Sequence, residues 1–199
     1  IAGVFENKSE SDTTIKADAL SVTGMMTNED NNAELTLNVN EWTVNGGDSG
    51  TGSFINGGNV VAVVDGVSYF ENGINLSSMG QDNVFSLDTG SLEFGSGVDE
   101  SVWTGLFLNS LKSFNLVFRN SDMDLSDVIV LNGADGNAGA NISLSAQNIT
   151  VANLNNSAKD MIVHADNDIS VSDSVSGQAN SNTDIVAGNS VTVVAYVVN

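Results

Sequence analysis

Residues 141–153 read Asn141-Ile-Ser-Leu-Ser-Ala-Gln-Asn-Ile-Thr-Val-Ala-Asn153 (NISLSAQNITVAN): apolar and polar residues alternate, pause at Gln147-Asn148, and alternate again. Alternation with period two marks a strand with one buried face. Two such strands around a short polar break fit a hairpin, and they equally fit two faces of one coil in a repeating stack. Recurrence of the pattern at a fixed period decides between them.

The pattern recurs. Reduced to an apolar residue, a spacer, a small or apolar residue, a short break and then apolar-x-apolar, it appears at Ile15-x-Ala17…Leu20-x-Val22 and Leu37-x-Val39…Trp42-x-Val44. Further copies are Ala62-x-Val64…Val67-x-Tyr69, Leu87-x-Thr89…Leu92-x-Phe94 and Leu144-x-Ala146…Ile149-x-Val151. Two late copies, Val163-x-Ala165…Ile169-x-Val171 and Ile185-x-Ala187…Val191-x-Val193, carry one extra residue in the break. The heads step by 22, 25 and 25 residues from position 15 to 87, and by 19 and 22 from 144 to 185. Such steps are too short for a propeller blade and suit the coil of a solenoid. Ala17, Ala146, Ala165 and Ala187 share one position, and this recurrence predicts a corner where the strand bends and a larger side chain would crowd the interior. The expected fold is all-β, a right-handed parallel β-helix built as a single domain over 1–199. The alternative is an antiparallel β-sandwich, whose strands would alternate every 8–12 residues without memory from one to the next.

Between the heads at 87 and 144 the register is lost. Val98, Val102 and Leu106 follow helical i, i+4 spacing, with Asp99 and Glu100 in the first turn and Lys112 near the end. This spacing predicts a short amphipathic helix over 98–111, although Gly105 in its middle disfavours helix by about 1 kcal/mol relative to Ala. Strand-like runs resume at 113–118 and 126–133.

The 199 residues carry five basic and 25 acidic side chains, a formal net charge of −20. A surface this negative repels phosphate backbones, which disfavours nucleic acid as a partner. With no cysteine, disulfides, thiol catalysis and cysteine-ligated zinc are excluded. No run of 18 apolar residues is present, so no transmembrane helix is expected. The opening IAGVFENKSESDTT lacks a basic n-region and a long apolar core, as expected where a signal segment has been removed or never existed.

Candidate chemistry is sparse. Gly47-Asp48-Ser49-Gly50 matches the core around the nucleophile of chymotrypsin-like proteases, but the single histidine, His164, follows that serine instead of preceding it. A triad needs a histidine beside the hydroxyl, and Gly-Asp-Ser-Gly is also ordinary turn chemistry. His164 falls on a spacer position, which predicts an outward-facing side chain. Calcium requires six to eight oxygen ligands, and Asp122, Asp124, Asp127, Asp135 and Asn137 form the candidate set; Asn28-Glu-Asp-Asn-Asn32 is a weaker one. Neither follows the EF-hand pattern. An enzyme is not expected. The alternative is a polysaccharide-degrading enzyme on a β-helix, which for an anionic sugar would have only Lys8, Lys16, Lys112, Arg119 and Lys159 to draw on.

The segments TIKADALSVTG, NISLSAQNITVANL and TDIVAGNSVTVVA resemble coils of bacterial secreted β-helical surface proteins, the autotransporter passengers and filamentous-haemagglutinin-like adhesins. That resemblance implies a secreted or cell-surface location and a non-catalytic role in adhesion, self-association or building an extracellular fibre or matrix. The partners it implies are further copies of the chain or a host or surface ligand. The apolar ending VTVVAYVVN and the apolar start Ile1 to Phe5 add a physical motive for self-association, because an exposed strand edge can pair with a neighbour.

Overall fold

Ile15, Leu37, Ala62 and Leu87 stand side by side in four neighbouring strands, and Leu144, Val163 and Ile185 do so in three others. The computed structural model describes residues 1, 4–7, 10, 12–28, 33–45, 53–56, 58–70, 83–94, 105–108, 112–133 and 138–198. Among them every strand pairing is parallel. The protein is therefore an all-β parallel solenoid, and the antiparallel sandwich is ruled out. Its backbone divides into two compact units, Ile1–Asp99 and Glu100–Asn199.

The first unit contains β1 (Val4–Asn7), β2 (Thr13–Val22), β3 (Met25–Asn28), β4 (Glu34–Val44), β5 (Ser53–Asn56), β6 (Asn59–Phe70) and β7 (Val84–Phe94). Strands β2, β4, β6 and β7 form one sheet in that order, and β1, β3 and β5 form another. A coil thus runs along one sheet, turns at Thr23-Gly24 and returns through the other. Because the strands are parallel and in register, each inward position meets its counterpart one coil on. The rows Leu35–Val60–Phe85, Leu37–Ala62–Leu87 and Val39–Val64–Thr89 are all buried. Trp42 packs edge-on against Phe70, with ring centroids 4.9 Å apart. Each large apolar side chain so buried contributes about 1.5–3 kcal/mol relative to exposure.

One row departs from the sequence pattern. Val67 and Tyr69 carry the expected spacing, yet Ser68 and Phe70 occupy the inward places beside Trp42 and Val44. The register slips between Val64 and Val67, at Asp65-Gly66. The extra residue forms a bulge and shifts the rest of the strand by one, which flips inside and outside. Two glycines make the bulge fit: a Cβ on Gly66 would lie 2.8 Å from the Asn40 carbonyl oxygen, and one on Gly90 would lie 2.7 Å from that of Gly66. Ser68 thereby becomes a buried polar group and finds a partner. The Thr89 hydroxyl donates to the Ser91 carbonyl (2.8 Å) and accepts from Ser68 at 3.0 Å.

The second unit contains β8 (Gly105–Leu108), β9 (Ser113–Phe118), β10 (Met123–Asn132), β11 (Asn141–Ala146), β12 (Ile149–Asn156), β13 (Lys159–Ala165), β14 (Asp168–Val171), β15 (Ser174–Gly177), β16 (Ser181–Ala187), β17 (Ser190–Val193) and β18 (Tyr196–Val198). Strand β11 lies between β9 and β13. Strand β12 lies beside β10 on one side, while its two halves pair with β14 and β15 on the other. Both edges of each strand are taken, so NISLSAQNITVAN is no hairpin. It is a corner between two faces of one coil, and the corner itself is stacked: Asp166 N–H donates to the Ala146 carbonyl (3.0 Å) and Asn167 N–H to that of Gln147 (2.9 Å). The extra residue of the next coil, Asp168, donates its N–H to the Asn148 side-chain oxygen at 3.2 Å. A side chain replaces the missing backbone acceptor, which is how the longer break is accommodated without loss of register.

The helix expected over 98–111 is overturned where the structure describes it. Gly105–Leu108 is a strand, β8, paired with Ile129–Asn132 of β10; residues 98–104 and 109–111 lie outside the described residues. Leu106 and Phe107 satisfy a strand as well as a helix, Gly105 weakens the helix, and parallel pairing to an existing edge supplies the backbone bonds.

Ala146 is buried, whereas Ala17, at the same repeat position in β2, is exposed. Ala146→Leu should destabilise the protein by about 1–3 kcal/mol through overpacking, and Ala17→Leu should be close to neutral, as measured by urea denaturation.

Candidate functional site

Strand β10 ends on Asn132 and β12 on Asn156, and the two residues are opposed in register. An asparagine side chain offers two donors and an acceptor, so buried at a corner it can bond along the stack and to the turning backbone at once. Both are buried, at 1% and 0% exposure. The Asn132 amide nitrogen lies 2.9 Å from Asn156 Oδ1, 2.9 Å from the Ala140 carbonyl and 2.7 Å from that of Ala158. Its oxygen accepts from Ala140 N–H at 2.7 Å. Asn156 donates to the Asn182 carbonyl (2.9 Å) and approaches Thr183 Oγ1 (3.1 Å), in the following coil. Gly139, at φ +64°, lets the loop pass: a Cβ there would sit 2.8 Å from Asn132 Oδ1.

The first unit repeats the device. Asn7 and Asn28 end β1 and β3, are opposed in register, and are joined by an Nδ2 to Oδ1 bond of 3.0 Å. Asn28 donates onward to the Asn59 carbonyl at 3.1 Å. Asn28, counted in the sequence among calcium candidates, is therefore committed to the fold. These asparagines were hidden in an Asn-rich composition; the available signal was an Asn closing a strand one coil apart, 21 residues from 7 to 28 and 24 from 132 to 156.

The outward corner carries a second polar column. Asn148 donates to Asp122 Oδ1 at 2.6 Å, and Ser190 Oγ donates to Asp168 Oδ1 at 2.6 Å. Together with the bond from Asp168 N–H to Asn148, this joins Asp122, Asn148, Asp168 and Ser190 across four coils. Of the candidate calcium ligands, Asp122 is thus held by Asn148, and Asp124, exposed on β10, accepts from Ser126 N–H at 3.0 Å. The backbone of Asp127 lies in β10, and Asp135 and Asn137 lie outside the described residues. Among the described residues no group of three or more histidine, aspartate or glutamate side chains converges to hold a metal. His164 faces outward as expected, half-exposed, with Nε2 3.8 Å from Asp166 Oδ1; that separation is too long for a hydrogen bond. Residues 47–50, with the Gly-Asp-Ser-Gly motif, and residues 29–32 lie outside the described residues. No described helix is long and apolar enough to cross a membrane.

The remaining feature is an apolar end. In the second unit the inward row Ile149–Ile169–Val191 is 1%, 1% and 46% exposed. The row Leu154–Val175–Val197 runs 0%, 5% and 65%. Val194, Tyr196 and Val198 are exposed beside them. The inward alternation of β16 to β18 continues that of the coil before, but among the described residues no strand lies beyond it. A scan against protein-family models finds no match to this chain, and neither do searches of curated proteins and of solved structures.

Removing one amide from the interior column strands its partners without solvent. Asn132→Ala and Asn156→Ala should each destabilise by about 1–3 kcal/mol, and the double variant by less than the sum, because the two share a bond. Urea denaturation of the two single variants and the pair measures both effects.

Proposed function

We propose that this protein is a non-catalytic structural protein, secreted or held at the bacterial surface, which serves as a scaffold and associates with its own kind. The observation that supports this reading best is a parallel solenoid whose polar groups, Asn132 with Asn156 inside and Asp122, Asn148, Asp168 and Ser190 at the corner, join one coil to the next. Among the described residues Val191 and Val197 stand exposed, and each valine taken from exposure to full burial against a second copy gains about 1.5–3 kcal/mol. The composition fits an exported scaffold: cysteine-free, rich in Asn, Ser, Thr and Gly, and carrying a net charge of −20. That charge opposes random clumping and leaves association to the places where apolar contact outweighs repulsion.

The repulsion makes the reading testable. Sedimentation velocity of the 199-residue chain should show species larger than the monomer whose fraction rises with protein concentration and with sodium chloride, since about 0.15 M salt shortens the screening length to about 8 Å. A variant carrying Val191→Asp and Val197→Asp should remain monomeric under the same conditions. A single monomeric boundary for the unaltered chain at every concentration and salt would contradict the proposal.

A further inference from the structure

We draw no further inference here: the strongest candidate, the open apolar last coil of the second unit (β16 to β18) seated on the first coil of a second copy, carries nothing because β3, which β18 would have to meet there, already pairs with β1, and nothing in the structure shows what else covers that coil.

Discussion

Parallel, in-register pairing between successive coils is the constraint on which the rest depends. Within each unit neighbouring coils exchange backbone hydrogen bonds, so a residue flanked by coils on both sides takes the same face as the residue one coil away. An apolar side chain facing inward must then be followed by another apolar one. A polar one must be followed by a partner able to satisfy it. The rows Leu37–Ala62–Leu87 and Leu144–Val163–Ile185 meet the first demand. The pairs Asn132–Asn156, Asn7–Asn28 and Ser68–Thr89 meet the second.

The same constraint explains what could be read from the chain. The heads of the repeat at 15, 37, 62 and 87, and at 144, 163 and 185, are direct neighbours in the sheets, because an inward position leaves its hydropathy in the sequence at every coil. The late one-residue insertions were also legible, since they fall in corners and spare the strands. Two features were not. The bulge at Asp65-Gly66 turned Ser68 inward in place of Val67: alternation reports a pattern but not its phase after an extra residue, and Val-Ser-Tyr-Phe satisfies both phases. In Gly105–Leu108 the local helical spacing lost to an available strand edge on β10, an interaction that no window of local sequence contains.

The interior asparagines were illegible for a different reason. In a chain with this many Asn residues the buried ones cannot be told from those in turns by type, and only strand pairing shows that Asn132 and Asn156 are opposed. Outside, the same residue types act as corner fasteners: Asn148 ties Asp122 to Asp168 across three coils. Of the residues that suggested ligand binding, Asp122 and Asn28 are engaged in joining one coil to the next. A solenoid whose polar groups hold coils together agrees with the structural role proposed for it.

Cross-linking at residues 141–153 tests the stacked corner most directly, and the absence of native cysteine makes it clean. Ser145 lies opposite His164 in the neighbouring parallel strand, within the separation a disulfide spans. A hairpin closed at Gln147-Asn148 would instead set Ser145 against Thr150. Oxidation of the chain bearing Ser145→Cys with His164→Cys should give an intramolecular disulfide, and Ser145→Cys with Thr150→Cys should stay reduced. A disulfide in the second pair and none in the first would contradict the parallel coil.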